Sequence, residues 1–214
     1  MSRGLVALTV LLTGCGLGAP EPGSLRVREK ADAAARTLSD FASTLDRAQV
    51  VSAWSADYCP AGIHNWKRDD PFDWDCYATQ NVALAVGELR AGATKLHEQL
   101  GTAGCRPDPA DHPSRHGLPV MLDRYDSPKP PHRYPSVRYL CGSDITLYVQ
   151  PSDRSDARLG ESLSRPRGWA YQSTGSAGNR LMAGGEISPD DVSRLTSTEG
   201  TLMLLTAVAN YHRA

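Results

Sequence analysis

CYATQNVALAVGELRAGATKLHEQL, from Cys76 to Leu100, changes its period once. From Tyr77 to Val86 the residues alternate in the manner of a strand, and from Glu88 onward Leu89, Ala93, Leu96 and Leu100 recur at helical spacing. Gly101 and Gly104 supply the helix stop. Upstream, Leu25, Ala31, Ala34, Leu38, Phe41, Leu45, Ala48 and Val51 again fall at helical spacing behind Ser24, a residue suited to an N-cap. The expectation is an amphipathic helix from Leu25 to Val51 whose apolar stripe packs against a sheet. Between helix and strand, residues 57–75 read as an acidic, turn-like segment broken by Pro60, Gly62 and Pro71.

Downstream, residues 107–135 hold eight of the fifteen prolines, and only Leu118 to Tyr125 reads as a strand there, placed at an edge by Pro119. Val137–Cys141 and Ile145–Val149 flank Gly142-Ser143-Asp144 and predict a hairpin. Pro151 to Gly168 is polar and loop-like, with a short strand expected at Trp169–Gln172. Ser188-Pro189-Asp190-Asp191 is a helix-start signature for a short helix through Leu195. Thr201 to His212 fits a strand through the alternation of Leu202, Leu204, Thr206 and Val208. A helix started by a Thr196 and Glu199 capping box is the alternative, but Gly200 interrupts it. The class is therefore α+β: an N-terminal helix on a mostly antiparallel sheet. The order after Cys76 (strand, helix, strand, strand, helix, strand) resembles the ferredoxin-like split βαβ arrangement.

Leu, Ile, Val and Phe together number 40 of 214 residues, so the core is modest for one domain, yet a net charge of -1 lacks the self-repulsion of a disordered chain. A pI near 6.6 lacks the basic excess that phosphate contacts require, which excludes nucleic acid as the expected partner. At the N-terminus, Arg3 precedes the apolar run Leu5–Leu12, and Leu12-Thr13-Gly14-Cys15 follows. This tetrapeptide resembles the lipobox of bacterial lipoproteins. The resemblance implies a signal peptide over residues 1–14, removed after the Cys15 thiol receives a diacylglyceryl group, and a lipidated tether over 15–24. Residues 25–214 then form a single α+β domain. A run of eight residues is far short of the roughly 20 that span a bilayer, whereas two acyl chains anchor stably. The implied location is the extracytoplasmic face of a bacterial membrane.

With Cys15 set aside, Cys59, Cys76, Cys105 and Cys141 remain, an even set suited to two disulfides in an oxidising compartment. No C-x-x-C pair supports a zinc ribbon or a thioredoxin-type site. Of the three pairings open to four cysteines, Cys59 with Cys76 and Cys105 with Cys141 is favoured, because each closes a Pro-rich, charged loop with little apolar surface of its own. Chain entropy makes these links worth roughly 3 and 4 kcal/mol.

Chemistry is harder to find. Asp69, Asp70, Asp73 and Asp75 lack the turn glycine and distal Glu of a calcium loop. His112 and His116 lack a third ligand, so no metal is assigned. Gly175-Ser176-Ala177-Gly178 is not a nucleophile elbow, since Thr174 stands where Gly is needed, and no cofactor motif occurs. The expectation is a non-catalytic module that binds an envelope protein, peptide or glycan. Six of the fourteen aromatics, Trp54, Tyr58, Trp66, Phe72, Trp74 and Tyr77, cluster around Cys59 and Cys76. They form either a small satellite core or a binding surface presenting Trp66 and Trp74 with His64, Asp70 and Asp73 as polar rim. The alternative function is a cell-envelope hydrolase using Asp70 or Asp73 with His64.

Overall fold

A strand buried on both sides belongs in the middle of a sheet, and Asp75–Val86 (β4) is such a strand, buried almost throughout. In the computed structural model, which describes residues 22–112, 114–124, 134–152, 180–184, 188–197 and 201–214, β4 pairs along its whole length with Thr201–Arg213 (β9). The other elements are helix α1 (Leu25–Ser43), β1 (Val50–Cys59), the short strands β2 (His64–Asn65) and β3 (Arg68–Asp69), helix α2 (Leu89–Thr102), β5 (Cys105–Pro107), helix α3 (Gly117–Arg124), β6 (Val137–Cys141), β7 (Ile145–Ser152), β8 (Arg180–Gly184) and helix α4 (Pro189–Ser197). Seven strands form one sheet in the order β5-β6-β7-β9-β4-β1-β8, with every pairing antiparallel, and β2–β3 is a separate hairpin.

The α+β class, the helix on the sheet and both disulfides are as expected. Cys59–Cys76 bridges the facing ends of β1 and β4, and Cys105–Cys141 joins paired residues of β5 and β6, each with Cα atoms 4.0 Å apart. The strand order departs from the split βαβ arrangement. β9 inserts between β7 and β4, so the parallel neighbour pair of that arrangement is absent.

One sheet face carries the main core. Val82, Leu84 and Val86 of β4 and Met203, Leu205 and Ala207 of β9 meet Ala34, Leu38 and Phe41 of α1 and Ala93, Leu96 and Leu100 of α2. On the opposite face Ala83, Leu202 and Leu204 pack against Leu195 of α4, with Trp54 beside them. Asn81 and Thr206 lie buried on this second face and satisfy each other through a 2.8 Å hydrogen bond donated by the Thr206 hydroxyl.

Three expectations change. Helix α1 ends at Ser43, not Val51: the Asp46 carboxylate accepts the Ala48 N–H and starts a 3-10 turn, after which Val50 begins a ten-residue strand. Strand β1 therefore occupies what looked like helix end and acidic turn. Leu118–Tyr125 is not a strand but helix α3, with Leu118, Met121 and Leu122 buried at helical spacing. Pro119 sits in its first turn, where no N–H is needed, and Gly117 enters at φ 79°, a conformation suited to Gly. The Trp169–Gln172 strand and the Gly175–Gly178 turn lie outside the described residues, as do residues 1–21 with Cys15. Among the described residues no helix is long and apolar enough to cross a membrane.

Candidate functional site

The second sheet face is covered at one end by α4 and forms a groove of about 350 Å3 at the other. Alternation builds its floor. Arg138 and Leu140 of β6 stand opposite Tyr148 and Thr146 of β7, Thr146 is paired with Val208 of β9, and Asn210 of β9 is paired with Tyr77 of β4. One wall is Asp108, which follows β5; the other is made by Arg68 and Phe72 of the hairpin segment and by Asp75 and Arg213.

The charges around this groove are held in pairs. Arg213 clamps Asp75 with two hydrogen bonds, Nε to Oδ1 at 3.1 Å and Nη2 to Oδ2 at 2.7 Å, a fork geometry that fixes both planes. Its guanidinium also lies 5.0 Å from the centre of the Phe72 ring. Arg138 pairs with Asp108 through Nη2 and Oδ2, and Asp108 is held further by the Ala110 N–H at 2.9 Å. Arg138 stays charged despite its partial burial: burial disfavours the cation, and Asp108, Tyr148 and Asp111 together outweigh that cost. Its Nε is sealed from solvent without a hydrogen-bond partner among the described residues. Arg68 donates through Nε to Asp70 at 2.7 Å.

The residues expected to form a binding surface separate by environment. Trp66 projects from the β2–β3 turn, 89% exposed, with the Lys67 ammonium 4.7 Å from its ring centre. Trp74 is half-buried, and its backbone exchanges two 3.0 Å hydrogen bonds with Ala214. His64 has both ring nitrogens engaged, Nδ1 with Asp69 at 2.7 Å and Nε2 with the Phe72 carbonyl at 3.1 Å and Asp73 at 3.3 Å. The Asp69 hydrogen bond is the main reason its pKa is raised. Asp70 accepts the Ile63 N–H at 2.9 Å through one oxygen and Arg68 through the other, and these contacts, the Ile63 bond foremost, hold its pKa down. His64 and Asp70 thus close the hairpin segment upon itself. That segment in turn presents Arg68 and Phe72 to the groove.

The groove residues of β6, β7 and β9 escaped the sequence reading. Their signal was present: the alternation that marks Val137–Cys141 and Ile145–Val149 as a hairpin puts Arg138, Leu140, Thr146 and Tyr148 on one face, opposite the apolar Val137, Tyr139, Leu147 and Val149. Only the partner strand β9 reveals that this polar face is a concave floor. Among the described residues no three His, Cys, Asp or Glu side chains converge to hold a metal. No family model, curated protein or solved structure matches the chain.

Proposed function

We propose that the chain is a lipid-anchored extracytoplasmic lipoprotein whose domain works by binding a ligand or partner of the cell envelope, without chemistry of its own. The anchor is Cys15, carried by the lipobox resemblance, and two disulfides suit the oxidising side of a membrane. The observation that carries the binding reading is the groove on the sheet face that α4 leaves uncovered. Its volume lies within the range of small-molecule sites, about 300–1,000 Å3, and its Tyr77 and Tyr148 rings and the Arg138 and Arg213 side chains are set on strands of the central sheet, so ordering them on ligand capture costs little entropy. The exposed Trp66 lies on the hairpin that also supplies Arg68 to the groove.

The test is a resonance-shift experiment on the isotope-labelled full-length chain in a detergent without a sugar headgroup, titrated with solubilised envelope fractions. Shifts at Leu140, Thr146, Tyr148 and Val208, with α1 unmoved, are expected. Shifts confined to residues 64–69 would move the surface to Trp66, and conversion of an envelope component into new products would favour the hydrolase.

A further inference from the structure

The groove's charges, read with the apolar part of its floor, point to the chemistry of its ligand; the step rests on the groove being the binding site. Among the described residues, every guanidinium lining it already faces a carboxylate: Arg138 with Asp108, Arg213 with Asp75 and Arg68 with Asp70. A charged ligand would have to compete with those pairs, losing one ionic contact for each it gains and leaving a partly buried partner uncompensated. Asp108, with its side chain only 8% exposed, is poorly placed to stand alone as a charge. A neutral hydroxyl has no such conflict. It is at once donor and acceptor, and a fixed Arg–Asp pair offers an acceptor and a donor side by side with almost no net charge. The floor supplies the other half of the requirement. Leu140 and Val208 are flanked by the Tyr148 ring, with the Phe72 ring on the wall, so that a flat, C–H-rich face can be covered while hydroxyls at its edge reach the pairs.

We propose that the groove takes a neutral polyhydroxylated ligand, a short stretch of glycan, with its ring face on Tyr148 and its hydroxyls on the Arg138–Asp108 and Arg213–Asp75 pairs. Long-range electrostatics then contribute little to binding, and affinity is nearly independent of salt.

The test uses the full-length chain in a zwitterionic detergent, with two probes read by saturation-transfer resonance: the N-acetylglucosamine tetramer, which is neutral, and a galacturonate tetramer, which carries one carboxylate per sugar. The neutral tetramer is expected to bind with a Kd that changes less than about twofold between about 50 mM and about 500 mM salt. Tyr148→Ala should weaken it roughly tenfold. Arg213→Gln, at the exposed rim, should weaken it as well while leaving the circular dichroism spectrum unchanged, which guards against a folding defect in the first variant. Tighter binding of the acidic tetramer, lost in Tyr148→Ala and steeply salt-dependent, would overturn the neutral-ligand inference and leave the groove as the site. Binding of the neutral tetramer at full strength to both variants would place it elsewhere and overturn the inference. So would no binding of either probe, and the binding reading would then rest on the envelope-fraction titration alone.

Discussion

His64 shows how one side chain can decide the order of a segment with almost no core. Residues 60–74 bury few side chains, and their shape depends on polar contacts: Ile63 N–H to Asp70, His64 to Asp69, Phe72 and Asp73, and the Gly62 N–H to the Asp73 carbonyl at 2.7 Å. The carboxylates of Asp69 and Asp73 favour the imidazolium, so the folded pKa lies above the ordinary 6.5. The clasp is then fully formed below pH 6.5 and is lost as pH rises through the raised value. Amide hydrogen exchange at Ile63 and Asp70, corrected for intrinsic rate, should accelerate over that interval, and His64→Ala should abolish the pH dependence. Tyr139 is the contrasting case. It is fully buried, accepts the Leu118 N–H at 2.9 Å, contacts His97 Nδ1 at 2.8 Å, and has its pKa pushed up to about 12, chiefly by burial. Tyr139→Phe strands the Leu118 N–H in the first turn of α3 and should cost about 1–3 kcal/mol in urea unfolding with an unchanged m-value. The two tryptophans separate likewise. Trp66→Ala should leave Tm nearly unchanged, whereas Trp74→Ala, removing a half-buried ring, should lower it measurably.

Among the elements, the edge strand β5 depends most on a covalent link. It is three residues long, pairs only with β6, and its Cys105 is the residue opposite Cys141. The loop between them, closed across a sequence separation of 36, carries α3, whose Leu118, Met121 and Leu122 reach the main core. Replacing both Cys105 and Cys141 by Ser should therefore destabilise the domain by up to about 4 kcal/mol. The sharper companion result is a thiol titration of the unfolded, unreduced wild type, in which none of the four cysteines should react. Which elements were legible in the sequence follows from how each is stabilised. β4, α2, β6, β7 and β9 carry their period in their own residues, so alternation or helical spacing found them, and α4 was found by its Ser188-Pro189-Asp190-Asp191 start. β1 did not, because Ala48 and Val51 also continue the stripe of α1, and only the Asp46 turn separates the two periods. α3 did not, because Pro119 suggests an edge strand unless Gly117 is known to adopt φ 79°. The disulfide pairing was legible through loop chemistry; the groove was not, since its floor joins four strands in an order that no local pattern contains.

At the scale of the whole molecule, the two faces of the sheet divide the work. One is filled by α1, α2 and α3 and supplies cohesion; the other is covered at one end by α4 and forms the groove at the other. The domain's first core side chain on α1 is Val27, and the lipidation site of the proposed anchor lies ahead of it in sequence, with Gly16–Ser24 between. A chain of that length reaches no more than about 30 Å even when fully extended, so an anchored domain samples a thin layer beside the bilayer and a partner must come to it there. Anchor and fold are then separable. Cys15→Ala removes the thiol on which the proposed anchor depends and leaves every residue from Val27 onward unchanged. It should therefore abolish incorporation of labelled palmitate, leave the leader uncleaved, and alter Tm by no more than a surface substitution does, within about 0.5 kcal/mol. Wild-type labelling of the variant would refute lipidation at Cys15. A large fall in Tm would instead show that the segment ahead of α1 is part of the folded core, and would tie the anchor to the stability of the groove it carries.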